Sequence, residues 1–435
     1  MSRTSNKLTA LTILTIVILS VIPVALVTSL ALPIRAQTTN SIIASASYLH
    51  NFSIIEIIVT TDPSYEANVV RVEVIDKDTG ELVSLLNYTT GAGGTSVNYI
   101  NAKKYVSGVY VAYLGGEDVT FKKDVFPKYN KTDALYKIES LSLGKTLILR
   151  VPELGFIETE VTYDYAPITI SFDRSTYPPK NALLRLKITD PNWNLDPTNR
   201  DRLTGTNVTL DLKIVRPETG ATYENKSITL DDIKSGIYDL ESGVNNGVFE
   251  FELNLTDIAN AAKSGDYKDG DIVTFKVYFK YDTDIYDEEL FTIKTEAPSI
   301  EISGSFSDEI TITVSYFDKN LKSWDEDEFN IKYAIFADSE KIKDWTDLKV
   351  EETGDNTGVF EESFDLNWDS TLLSKAKEGK AIIIKANVTY EYEDKFVIKE
   401  LTITPVAPSV SLEKTELYVT DTLKLTLVDP DLNDN

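Results

Sequence analysis

Internal repetition at a domain-sized period restricts this chain most, because a segment that recurs every hundred-odd residues must fold as a repeated unit. Three segments open alike: "APITISFD" from Ala166, "APSIEISG" from Ala297 and "APSVSLEK" from Ala407, with starts 131 and 110 residues apart. Pro167, Pro298 and Pro408 each head a strand-like run, where a missing N–H does little harm. Further landmarks recur in register. "LLRLKITDPNWNLD" (Leu183 to Asp196) matches "TLKLTLVDPDLND" (Thr422 to Asp434), and "ITITVSYFDKNL" (Ile310 to Leu321) holds the same place in the middle copy. "SGVNNGVFEFELNL" (Ser242 to Leu255) matches "TGDNTGVFEESFDL" (Thr353 to Leu366). "IIEIIVTTDPSY", "SGVYVAYL" and "TLILRVPELGFIETEVTYDYAP" follow the same order between Ile54 and Pro167, a diverged first copy.

Within a copy, Leu184, Leu186 and Ile188, or Ile310, Ile312 and Val314, alternate with polar residues, the period-two pattern of half-buried antiparallel strands. About seven short strands per hundred-odd residues, punctuated by turn signals, predict a two-sheet sandwich. The expected fold class is all-β, with tandem immunoglobulin-like β-sandwich domains after an N-terminal signal segment. Only Thr256 to Gly265 and Ser370 to Gly379 read as short helical turns. The boundaries fall at 37–165, 166–296 and 297–406, and 407–435 begins a fourth copy. The linkers before each Ala-Pro are too short for free swivelling, so a stiff string is expected. Twenty-nine residues cannot bury a sandwich core; the fourth copy is expected to continue beyond Asn435, the alternative being a strand donated to a neighbouring molecule.

Residues 1–36 carry Arg3 and Lys7, then an uncharged run from Leu8 to Leu32, then Pro33 to Ala36. This is the form of a secretory signal, cleaved after Ala36, and the apolar run is also long enough for an uncleaved anchor. Either way the rest is expected outside the cell, at its surface. The chain has no Cys, so the modules stand on packing or on packing plus ions. The formal charge of −26 leaves no basic face for phosphate, and nucleic acid is excluded as a partner.

Catalysis is poorly supported. With one His and no Cys, Ser-His-Asp, Cys-His and His-zinc arrangements cannot be built within a repeat. His50 reads as a solvated surface residue. Paired carboxylates suit a glycosidase, yet no pair among 69 acids stands out. The chain is read as no enzyme, with no catalytic residues.

Oxygen-bearing side chains at Asp190, Asn192, Asn194 and Asp196, with Asp201 beyond, have the alternating spacing of a calcium loop. Leu195 stands where an EF-hand needs Gly and no flanking helices are predicted, so that motif is rejected and a strand-end Ca2+ site is left. The middle copy offers Asp318, Asn320, Asp325 and Asp327, and the last offers Asp429, Asp431, Asn433 and Asp434. The competing reading is that Asp and Asn cap a tight Pro turn. Gly247 and Gly358 are expected to supply a positive φ at a hairpin entry. Asn-X-Ser/Thr sequons at Asn51, Asn87, Asn130, Asn207, Asn225, Asn254 and Asn387 are candidates for N-linked glycans.

The repeated "DPNWNLD" and "DPDLND", with "ETGDNTGVFEESFDL" and "NNGVFEFELNL", resemble the repeat motifs of archaeal surface-layer (S-layer) glycoproteins. The resemblance implies tandem immunoglobulin-like domains, glycans and calcium-assisted self-assembly with further copies of itself into a two-dimensional coat. Asp190, Asn192, Asn194 and Asp196 match its acidic motif, with Asp429, Asp431 and Asn433 beside them. The first copy lacks the motif, and no C-terminal membrane anchor or stalk is present in this sequence, which leaves the mode of attachment open; a membrane-anchored stalk protein is one candidate partner. A surface adhesin, or spacer modules of a larger secreted enzyme, are the alternatives.

Overall fold

The computed structural model describes residues 40–88, 94–119, 134–195, 197, 200–233, 242–243, 246–279, 282–306, 308–366, 369–406, 409–413 and 422–428. The signal segment 1–36 lies outside them. Among the described residues no helix is long and apolar enough to cross a membrane.

The chain is an all-β string of immunoglobulin-like sandwiches. Among the described residues three large cores form, one from Ile42 to Tyr163, one from Ile168 to Ile293 and one from Ile300 to Tyr390, with a small cluster of Ile54, Val119 and Leu135 beside the first. The alternation seen in the sequence produces them. In the second module Leu184, Leu186 and Ile188 turn inward from the strand Leu183–Thr189, while Arg185 and Lys187 turn out. That strand lies between Thr169–Phe172 and Val248–Asn254, both antiparallel. The facing sheet runs Thr176–Tyr177, Tyr286–Ile293, Ile272–Tyr278, Thr209–Arg216, Ala221–Thr229. Phe291 ties the two layers together, with ring centroids 5.0 Å from Phe172 and 4.9 Å from Tyr177. Each fully buried side chain of this size contributes about 1.5–3 kcal/mol over its exposed state.

Each copy opens with an antiparallel hairpin, though the pairings are offset between copies by a residue. Ile42 pairs with Val59, Ile170 with Ile188, Ile300 with Val314 and Val410 with Leu427, each in an antiparallel first hairpin. In the first two modules the chain then crosses to the other sheet, where Tyr48–Leu49 and Thr176–Tyr177 pair parallel with the module's last strand. The third module is one continuous seven-stranded sheet, folded over by the 13-residue strand Glu340–Glu352 that pairs with Glu328–Ala337 and with Val359–Phe364. The first module has eleven strands in place of about seven, because it adds short pairings around Leu85–Asn87 and Thr95–Val97. The two expected helical turns are present as Leu255–Ala262 and Ser370–Lys377, capped by Asn254 and Asp369.

Candidate functional site: the joints between modules

The alternating Asp/Asn loop forms the joint between successive modules. In the second module Asp190 caps a single 3-10 turn, Pro191–Trp193, its carboxylate accepting from the Asn192 N–H at 3.0 Å. Pro191 sits where its fixed φ suits the turn and its absent N–H is no loss. Asn192 is thereby aimed at the linker, and its amide clasps Ala166 in both directions. The Ala166 N–H donates to Oδ1 at 2.6 Å and Nδ2 donates to the Ala166 carbonyl at 2.8 Å. Beyond the turn, the Leu195 N–H donates to Asp201 at 2.6 Å, which turns the Leu195 carbonyl to the first module. There the Ile54 N–H, at the head of the strand Ile54–Thr60, donates to it at 3.3 Å.

The third module repeats the arrangement. Phe317–Lys319 is again a single 3-10 turn, and the residues closing the two turns, Asn194 and Asn320, share a backbone conformation of φ −79, ψ 84 and φ −80, ψ 84. Asp318, in the place of Asn192, accepts from the linker N–H of Glu296 at 3.2 Å. The Leu321 N–H donates to Asp327 at 2.6 Å, as Leu195 does to Asp201. The Leu321 carbonyl accepts from the Leu183 N–H at 3.0 Å, and Leu183 heads its strand as Ile54 does. Gly247 and Gly358 close each loop from behind with φ of 60° and 63°, as expected, their carbonyls accepting from Asp190 and Tyr316.

Each joint also takes a basic side chain from the module before it. His50 is buried rather than solvated, 2% exposed, with Nε2 2.7 Å from the Asn192 carbonyl. The Phe52 N–H donates to Nδ1 at 3.3 Å, which places the imidazole proton on Nε2. Burial lowers the His50 pKa to about 4, against the opposing hydrogen bond from Asn192, so the ring is a neutral donor. At the second joint Arg174 performs this task. Its Nη1 donates to the Asn320 carbonyl, the Asn320 side chain and Asn356, and its Nη2 donates to the Leu321 carbonyl. Ser323 of the third module donates to Asp173, and Arg185 lies 4.1 Å from the Trp324 ring centroid. Burial raises Asp190 and Asp318 to about 6, Asp318 also feeling Asp269, Glu296 and Glu391.

The candidate calcium ligands therefore separate. Asp190, Asn192, Asp201, Asp318, Asn320 and Asp327 accept from N–H donors that hold the joints, and Asp325 faces Lys322 at the surface. At Asn320 the oxygens hold the Arg174 guanidinium, and a divalent cation does not fit beside that charge. Asn194 closes the first turn. Asp196, Asp429, Asp431 and Asn433 lie outside the described residues. Among those that are described, no three His, Cys, Asp or Glu side chains are grouped to hold a metal. Of the sequons, Asn87, Asn225 and Asn387 lie in strands, Asn207 ends a 3-10 turn and Asn254 caps a helix; Asn130 lies outside the described residues. Asn51 lies under the first joint, where Tyr163 donates to its side chain. Sequence reasoning missed His50 and Arg174 as joint residues. His50 stands four residues ahead of Ile54, whose strand meets the next module's loop, whereas Arg174 lies nine residues ahead of Leu183 with the strand Thr176–Tyr177 between, and no sequence signal marked it.

No protein-family model matches the chain, and no curated protein does. Among solved structures it is similar to the FN1–FN3 domains of chicken CNTN1 (9% identity, 84% of this chain and 97% of that one, TM-score 0.22). It is also similar to a marsupial T cell receptor (10% identity, 83% and 99%, TM-score 0.19). A third likeness is to E. coli alpha-2-macroglobulin (12% identity, TM-score 0.20), where the match spans 89% of this chain and 22% of that one. The fold assignment rests on the strand pairing, not on these likenesses.

Proposed function

We propose that the chain is a non-catalytic structural subunit of a cell-surface coat, of the archaeal surface-layer type, that assembles with further copies of itself. The repeated joint is the observation that supports this reading most. A hydrogen-bonded loop that recurs at both joints sets the relation of one sandwich to the next, and a lattice requires subunits of fixed shape. The one imidazole, neutral and buried against Asn192, is held as part of a joint and has no access to substrate. The formal charge of −26 makes packed subunits repel, and divalent cations such as calcium, shared between surface carboxylates of neighbouring copies, offset that repulsion.

Isolated envelopes treated with a chelator test this. Release of the protein as one of the most abundant envelope components, with reassembly when calcium is restored, is the expected result. Trace abundance together with indifference to chelation contradicts it and favours an adhesin.

A further inference from the structure

The third module carries an outward row of side chains that looks unfinished. On the strand Ile382–Tyr390, Ile382, Ile384, Ala386 and Val388 turn into the core, so Asn387 and Thr389 turn out. The neighbouring strand Lys395–Ile403 sets Ile398 directly opposite Asn387 and Phe396 directly opposite Thr389. Both apolar side chains stand in solvent, Phe396 67% exposed and Ile398 56%. On the other side Lys332 pairs with Asn387, and Asp347 lies beyond it. Asn387, Thr389, Phe396, Lys332 and Asp347 border a groove of about 210 Å³ that also meets Glu391. The Asn387 Oδ1 is shielded from water and accepts no hydrogen bond, a costly state for an amide oxygen.

We propose that Asn387 carries an N-linked glycan whose first sugar lies in this groove, its apolar face on Phe396. Asn387-Val388-Thr389 is a sequon, and Thr389 is exposed. A pyranose presents one face of C–H groups and a rim of hydroxyls. The first matches the exposed Phe396 ring, and the second matches Lys332 and Asp347. In the transfer, Nδ2 of Asn387 attacks C1 of a sugar activated as a polyprenyl diphosphate ester. The Nδ2–C1 bond forms, the C1–O bond breaks, the diphosphate leaves with the bonding pair, and a proton of Nδ2 passes to a base of the transferase. Other sequons are placed differently. Nδ2 of Asn225 turns inward to the Ala261 carbonyl, Nδ2 of Asn207 bonds Thr204, and the Ser53 hydroxyl that Asn51 needs is buried against His50.

The proposal rests on export but not on lattice formation. Glycopeptide mass spectrometry of the full chain purified from its own cells tests it. The expected result is a glycan on most copies of the Asn387 peptide. An unmodified Asn387 peptide overturns this proposal, whether or not the other sequons carry sugar, and leaves lattice formation untouched. Thr389→Ala is expected to lose that glycan mass and Thr389→Ser to keep it. The Thr389→Ala chain is expected to bind an apolar dye more strongly than the wild type, an increase that Phe396→Ser abolishes. Equal dye binding with and without the glycan contradicts the sugar platform.

Discussion

Arg174 donates to both the backbone carbonyl and the side-chain oxygen of Asn320, at 3.1 and 2.9 Å, so one side chain of the second module holds the loop that opens the third. The Arg174 side chain is buried. Arg174→Ala is expected to destabilise the joint by about 2–5 kcal/mol, because buried acceptors lose a charged donor. Hydrogen exchange at Leu183 and Leu321 should quicken while exchange inside each sandwich is unchanged. Arg174→Lys should restore only part of the protection, since an ammonium cannot span the same forked set.

The titrating groups of the joints place opposite demands on pH. His50 has an unfolded value near 6.5 and a folded value of about 4, so the unfolded chain takes up the proton first. Its contribution is fully present above pH 6.5 and falls as pH drops toward 4, by about 3 kcal/mol in all. Asp190 and Asp318 are raised from 3.8 to about 6, so the folded chain takes up their protons first and gains stability as pH falls from 6 toward 3.8. Denaturant titrations at pH 7, 5 and 4 separate the two. His50→Gln should flatten the acid loss, and Asp190→Asn should steepen it.

The two hairpin glycines differ in what a methyl group would meet. A Cβ on Gly247 would lie 2.9 Å from the Asp190 carbonyl oxygen, whereas on Gly358 the nearest atom is 3.6 Å away on the Asn320 side chain. Gly358→Ala should cost the positive-φ strain of about 1 kcal/mol. Gly247→Ala should cost more, and thermal unfolding of the two variants compares them.

Arg216 and Asp271 form a buried ion pair in the second module, with Nη2 and Nε of the arginine 2.9 and 3.0 Å from the carboxylate. Asp271 is fully buried and also accepts from the Lys268 N–H. Asp271→Ala leaves the arginine without its counter-charge and should cost about 3–5 kcal/mol. A lowered Tm for the unfolding of this module, with the third module unaffected, is the expected record.

Much of the fold was legible because strand alternation is a local code. Leu184, Leu186 and Ile188 alternate in the chain and face one core in the structure. The copies could be aligned from their Ala-Pro openings, and each does open with an antiparallel hairpin, although Val410 pairs two residues before Asp429 and Thr169 one residue before Asp190. The joints were less legible. Asp190, Asn192 and Asp318 were recognised as a set with one purpose, yet their partners are Ala166, His50 and Glu296, and no spacing rule connects Asn192 to a residue 142 positions earlier. Tight Pro turns and calcium loops draw on the same oxygen-bearing residues, so the sequence could not separate them. His50 was misplaced for a related reason. A lone polar residue ahead of a strand reads as surface until a second module covers it.

The most direct test of the central claim is cryo-electron tomography of the source cell's envelope, with subtomogram averaging to module resolution. The account predicts a periodic coat in which the first, second and third sandwiches keep the fixed relation set at the Leu195 and Leu321 joints in every subunit. An envelope without periodic density, or a coat whose successive sandwiches take variable angles, would contradict it.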